Sequence, residues 1–157
     1  MAKTSPATLF LDRSGVAYTL STYDYDPAGG RVGLQAAEAL GADPARVLKT
    51  LMAEVDGRPV CVVLASDREV AMKKLAAAAG GKSAAMMKPA DAERMTGYRV
   101  GGVSPFGQKR RVPTFLDAPA HDWDRVFVNG GGRGLQVELD PRDLVSCLEA
   151  QVAELSA

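Results

Sequence analysis

With 157 residues, 46% of them hydrophobic and 24% charged, the chain has the composition of a soluble protein with one core. Nineteen cations balance nineteen acids, so no net charge draws it to nucleic acid or a membrane, and no apolar run approaches the roughly 18 residues that cross a bilayer. Nothing after Met-Ala-Lys-Thr-Ser-Pro reads as a signal peptide, which predicts a cytoplasmic protein folded as one domain over residues 1–157.

Ser5-Pro6 starts a helix, with Ser as N-cap and Pro in the first turn, and the helix stops at Ser14-Gly15. Residues 16–23, rich in aromatic and β-branched side chains, read as a strand, and residues 24–31 as a loop. A short helix over 34–40 is closed by Gly41, and Asp43-Pro44 opens a further turn. Residues 47–55 and 59–65 are apolar runs separated by Asp56-Gly57-Arg58, the strongest hairpin signal in the chain. Ser66-Asp-Arg-Glu69 matches a capping box, which predicts a helix from there to about Ala79. Residues 89–95 form another short helix, acids before cation as the macrodipole favours. Strands follow over 112–117, 125–128 and 135–139. In the last of these Leu135, Val137 and Leu139 alternate with Gln136 and Glu138, as in a half-buried strand. Asp140-Pro141 caps a closing helix with an apolar stripe of Leu144, Leu148, Val152 and Leu155. Hairpins mixed with short helices predict an α/β fold of the α+β kind with a mixed sheet; the regular βαβ rhythm of a doubly wound fold is missing.

Charge is distributed unevenly. Between Lys73 and Arg111 nine cations face two anions, a local +7, which leaves −7 on the remainder. Such asymmetry either gives one basic face suited to a phosphodiester or is a coincidence of linear order. Candidate phosphate contacts are Lys73, Lys74, Lys109, Arg110 and Arg111.

Conventional catalytic machinery is hard to find. Cys61 and Cys147 lie in apolar runs, as core thiols do. The single histidine, His121, reads as a surface residue. No Gly-x-Ser-x-Gly elbow, Walker loop or Rossmann fingerprint is present, and no cluster has metal-ligand spacing, so no metal or cofactor is expected. Two unusual features remain. Thr96 to Arg111 carries four glycines and a proline and ends in three cations; it is either a tight turn or a backbone cradle for an oxyanion. Lys49 is flanked by Val47, Leu48, Leu51 and Met52. It is either an edge lysine snorkelling to water or a cation aimed into a pocket.

These features fall into a known order. Thr22-Tyr23-Asp24-Tyr25-Asp26-Pro27, Lys49-Thr50-Leu51, Thr96-Gly97-Tyr98, Gly101-Gly102-Val103-Ser104-Pro105-Phe106-Gly107-Gln108-Lys109-Arg110 and Gly130-Gly131 with Arg133-Gly134-Leu135 make the chain resemble the YbaK/EbsC family of aminoacyl-tRNA deacylases over nearly its whole length. The resemblance implies a barrel-like mixed sheet wrapped by helices, similar to the editing domain inserted in bacterial prolyl-tRNA synthetases. It implies trans-editing of Cys-tRNA(Pro), with aminoacyl-tRNA as substrate and prolyl-tRNA synthetase as a partner. Lys49 and Gly101 become the catalytic positions. Tyr23, Val32, Thr50, Tyr98, Gly102, Ser104, Asn129, Gly130 and Gln136 become substrate-binding positions. The mechanism implied is substrate-assisted, the cysteine thiol or a terminal ribose hydroxyl supplying the reactivity. Val32 stands where related sequences often have Phe, Gly132 where close relatives carry Lys, and Gln136 where some members have Asp. An Ala-tRNA(Pro) deacylase therefore stays open, as does a non-catalytic module that binds tRNA or the synthetase.

Overall fold

In the computed structural model, which describes residues 4–28 and 31–157, the strands divide into two sheets. The chain runs α1 (Pro6–Arg13), β1 (Thr19–Thr22), α2 (Val32–Leu40), a 3₁₀ turn (Pro44–Arg46), β2 (Leu48–Val55), β3 (Arg58–Ala65), α3 (Met72–Ala78), β4 (Ala84–Met86) and α4 (Pro89–Thr96). It continues through β5 (Thr114–Asp117), α5 (Ala118–His121), β6 (Val126–Asn129), β7 (Leu135–Leu139), α6 (Pro141–Leu148) and β8 (Gln151–Ala153). The larger sheet has the order β4-β2-β3-β5-β8, antiparallel through β4, β2 and β3 and parallel from β3 to β8. The smaller is antiparallel, β1-β7-β6. Met1 to Lys3, read above for a signal peptide, and Gly29-Gly30 of the expected loop lie outside the described residues.

The hairpin forms as its turn chemistry requires. Asp56 and Gly57 both adopt positive φ, 49° and 80°, the twist that lets two residues join β2 to β3. The larger sheet is covered on both faces. Leu48, Met52, Cys61, Val63 and Leu116 pack into one apolar cluster, and Ala53, Val55, Val60, Val62, Leu64 and Phe115 into another. That double burial is why β3 reads as an unbroken apolar run rather than an alternating one.

Four expectations are corrected. The mixed sheet does not close as a barrel. Among the described residues one isolated parallel bridge, Val47 to Phe127, joins the two sheets, and Val47 already spends its own N–H on Pro44 and its carbonyl on Ser66. The strand expected over 16–23 is paired only over Thr19–Thr22. The capping box at Ser66 is not used: its hydroxyl donates to the Pro44 carbonyl, Val70 bridges to Ser156, Ala71 donates to the Leu155 carbonyl, and the helix waits until Met72. The closing helix stops at Leu148 because Glu149 turns left-handed at φ 52°; Val152 lies on β8 and Leu155 packs in the second apolar cluster.

Candidate active site

Where the two sheets meet, a cavity of about 390 Å³ opens between β2, the start of α2, the β4–α4 segment, the loop at 100–103 and the ends of β6 and β7. Val32, Leu51, Met52, Met86, Met87, Val100 and Val103 give it apolar walls. Its polar lining is sparse: Arg31, Lys49, Thr50, Ser66, Asn129 and Gln136. Lining that is mostly apolar with a few convergent polar groups is the usual character of a small-ligand site.

Lys49 and Gly101, far apart in sequence on a β-strand and a glycine loop, both face this space. β2 places Leu48 and Met52 on one apolar cluster and Leu51 and Ala53 on the other, so Lys49 shares the parity of Leu51. Its side chain is 20% exposed and its ammonium lies 3.6 Å from Glu69 Oε1, at the cavity mouth. Arg31 reaches the same Oε1 at 3.5 Å.

Gly101 has φ 93°, where an L side chain is strained, and a Cβ there would lie 3.2 Å from Arg133 Nε and 3.4 Å from Tyr25 Oη. The two glycine loops are tied to one another. Asn129 Oδ1 accepts from the amides of Gly131 (2.7 Å) and Gly132 (3.2 Å), while its Nδ2 donates to the carbonyls of Gly132 (3.2 Å) and Gly101 (3.4 Å). Arg133 donates to the Val100 carbonyl from Nε at 3.2 Å and from an Nη at 2.9 Å, its guanidinium lying over the Tyr25 ring. The backbone around Gly101 is thereby held in place before any ligand arrives.

At the inner wall, Gln136 is 2% exposed, because β7 is covered on both sides and not on one as its alternation suggests. Among the described residues, three buried polar atoms have no hydrogen-bond partner: Gln136 Oε1, Thr50 Oγ1 and Tyr23 Oη. Burial raises the Tyr23 hydroxyl above its ordinary pKa, with Tyr25 adding to the rise; the Gly134 backbone and nearby Gln136 oppose it, although Gln136 falls short of hydrogen-bond geometry. Tyr23 is thus a neutral phenol near pH 7.

Val32, Thr50, Asn129 and Gln136 line the cavity as expected positions, but five others do not. Tyr98 is buried in the core and donates to the Phe106 carbonyl at 2.6 Å. Ser104 is fully buried, its hydroxyl accepting from the Phe106 amide. Gly102 faces the backbone of Gly132 and Arg133, and Gly130 accepts from the Ser5 hydroxyl. Tyr23 lines a separate open groove with Gly131. These residues hold the walls from behind. Of the candidate phosphate contacts, Lys109 and Arg110 share a second groove with Arg58 and Arg94, and Met87 borders both that groove and the cavity. Lys74 donates to the Ser156 carbonyl and Arg111 pairs with Glu149, while Lys73 is exposed.

The lining contains no histidine, thiol or carboxylate. Cys61 is fully buried and pushed up to about 12, and Cys147 to about 11, chiefly by burial. Both stay protonated at neutral pH, and neither borders the cavity. Among the described residues no group of His, Cys, Asp or Glu gathers as a metal site, and no helix is long and apolar enough to cross a membrane. Arg31, Glu69 and the methionines Met52, Met86 and Met87 are not among the site residues expected from the sequence. The adjacent Met86-Met87 pair was a legible signal; the approach of Arg31 to Glu69 was not.

A two-sheet α/β fold with a preformed apolar cavity, one mouth lysine and a glycine-loop wall defines a small-ligand site whose lining has no histidine or carboxylate to activate a hydroxyl nucleophile. Residues 32–147 match the model of the aminoacyl-tRNA editing domain family. The chain is 39% identical over 121 residues to a candidate Cys-tRNA(Pro)/Cys-tRNA(Cys) deacylase, EbsC, of Enterococcus faecalis, covering 76% of this chain and 74% of that one. A 72-residue stretch is 36% identical to the proline–tRNA ligase of Maridesulfovibrio salexigens, covering 46% of this chain and 12% of the ligase. In fold it matches the crystal structure of a candidate trans-editing enzyme for prolyl-tRNA synthetase, with TM-score 0.83, 23% identity and 99% of both chains covered. The chain belongs to the aminoacyl-tRNA editing domain family.

Proposed function

We propose that the protein is a cytoplasmic trans-editing deacylase that releases cysteine from mischarged Cys-tRNA(Pro). One observation carries the reading: the cavity that holds Lys49 and Gly101 has no histidine or carboxylate in its lining to activate the Thr50 or Ser66 hydroxyl for attack on an ester. A site of this kind works by holding its substrate. The apolar, methionine-rich wall suits a small, soft side chain such as that of cysteine. Thr50 and Gln136 supply unpartnered polar atoms for the polar part of an aminoacyl group. The fixed backbone at Gly101 stabilises the oxyanion that develops at the ester carbonyl, the Lys49 ammonium holds the terminal nucleotide in place for it, and the substrate provides the reacting group. That group is the cysteine thiol or the ribose hydroxyl next to the ester. Prolyl-tRNA synthetase, part of whose sequence resembles this chain, is the partner that would hand over the mischarged tRNA.

The test is release of amino acid from Cys-, Ala- and Pro-tRNA(Pro). Cysteine is expected to leave fastest and proline at background. Ala-tRNA(Pro) outpacing Cys-tRNA(Pro) would reassign the substrate, and no release from any of the three would leave a binding module. Ser-tRNA(Pro) and tRNA ending in 2′-deoxyadenosine separate the two sources of reactivity: the first fails if the thiol reacts, the second if the hydroxyl does.

A further inference from the structure

Lys49 and Arg31 both line the cavity and both point their charges at a single oxygen, Glu69 Oε1, at 3.6 and 3.5 Å. An oxyanion is already seated between two cations at the mouth. Its hold is light. The Glu69 and Arg31 side chains are each 65% exposed, and both distances exceed that of a charge-assisted hydrogen bond.

A third element converges on the same place. Helix α2, nine residues long, begins at Val32 without a side-chain cap and without an acid in its first turn. Its first amides have no partner within the helix, and Val32 and Gly33 line the cavity. Gly33 makes this approach possible, since a Cβ there would lie 2.5 Å from Ser66 Cβ. Two side-chain cations and the positive end of a helix dipole thus surround the position that the Glu69 carboxylate borders.

We infer that Arg31, Lys49 and the first turn of α2 form a phosphate site for the phosphodiester that precedes the 3′-terminal nucleotide of the RNA substrate, with Glu69 as its internal competitor. In the free protein Glu69 occupies the two cations and keeps the mouth from collecting other anions. An incoming RNA end displaces it, the phosphate takes the cations, and the terminal nucleoside with its aminoacyl group is directed into the cavity. Arg31 and Glu69 are positioning residues here; neither touches the ester. The inference rests on the deacylase reading for the identity of the RNA but not for the existence of the site.

The test compares binding of the RNA trinucleotide CCA, adenosine and inorganic phosphate to the full chain by calorimetry. Glu69→Gln should tighten the trinucleotide by about twofold to fivefold, the range of a single exposed charge pair, and leave adenosine unchanged. Arg31→Gln should weaken the trinucleotide by a similar factor, again without moving adenosine. Trinucleotide affinity unchanged or lowered in Glu69→Gln overturns the inference, as does an equal shift for adenosine. Inorganic phosphate binding as tightly as the trinucleotide overturns the RNA assignment, and no trinucleotide binding to Glu69→Gln at millimolar concentration overturns the site. The two readings fail separately. A protein that releases no amino acid yet shows this pattern loses its enzymatic assignment and keeps the phosphate site. An active deacylase whose affinities ignore Glu69 does the reverse.

Discussion

At the mouth of the cavity the two cations share a carboxylate, whereas at its inner wall Thr50 Oγ1 and Gln136 Oε1, with Tyr23 Oη nearby, have no hydrogen-bond partner among the described residues. The mouth lies close to water, where an ion pair contributes little and can be exchanged. At the wall these atoms are buried, and there an unmet hydrogen bond costs about 1–3 kcal/mol per group. A protein that keeps such atoms unpaired has a use for them, so the wall reads as a place prepared for polar atoms of a ligand. The mouth reads as a place where one anion replaces another.

Each contrast can be broken by substitution. The largest effect is expected from Lys49→Ala. Removing the cation that holds the terminal nucleotide should lower kcat/KM for Cys-tRNA(Pro) about 10²-fold, the scale seen when a substrate is misplaced by about an ångström, with little change in Tm. Normal deacylation by this variant would remove Lys49 from the chemistry. Gly101→Ala should act on both stability and rate. Its φ of 93° and the crowding by Arg133 and Tyr25 predict a loss of about 1–2 kcal/mol in chemical denaturation, together with impaired turnover.

Gln136→Leu should behave in the opposite sense from an ordinary core substitution. Removing an unpaired buried acceptor should raise stability by up to about 1 kcal/mol while activity falls. A drop in Tm would mean that Gln136 is structurally satisfied, and the distinction between wall and mouth would disappear. The smallest effect is expected away from both, in the groove of Lys109 and Arg110. Replacing both by Ala should weaken tRNA binding a fewfold and reduce the slope of log K against log salt by about 0.7–0.9 for each phosphate no longer neutralised. An unchanged slope assigns them to solvated surface.

The sequence was most legible where local chemistry decides the outcome. The Asp56-Gly57 turn dictates its hairpin, Ser5-Pro6 its helix start, and Lys49 betrays itself by sitting among apolar neighbours. It was least legible where a distant segment overrides a local preference. Ser66 has the pattern of a helix cap, but Pro44 takes its hydroxyl. Gln136 alternates like a solvent-facing residue, but its strand is covered on both sides. The resemblance pointed to Lys49, Gly101, Thr50, Asn129 and Gln136, which line one cavity, and equally to Tyr98 and Ser104, which lie in the core behind it. Motif membership does not separate a lining residue from the one behind it; burial and hydrogen bonding do. Arg31 has no pattern of its own and Glu69 only that of a capping box, because their relation exists only once α2 and the segment after β3 are brought together.

That segment has a long-range anchor. The Glu69 carbonyl accepts from the Ala157 amide, Val70 bridges to Ser156, and Arg68 donates to the Ser156 hydroxyl, 88 residues further along the chain. During synthesis on a ribosome the walls of the cavity therefore precede its latch. Residues 68–71 can settle only after the final strand has docked beside β5, a pairing whose sequence separation makes it late and slow to form. A nascent or frayed chain would present a cavity whose gatekeeper is not yet fastened, so command of the entrance passes to residues 155–157, made after all of its walls.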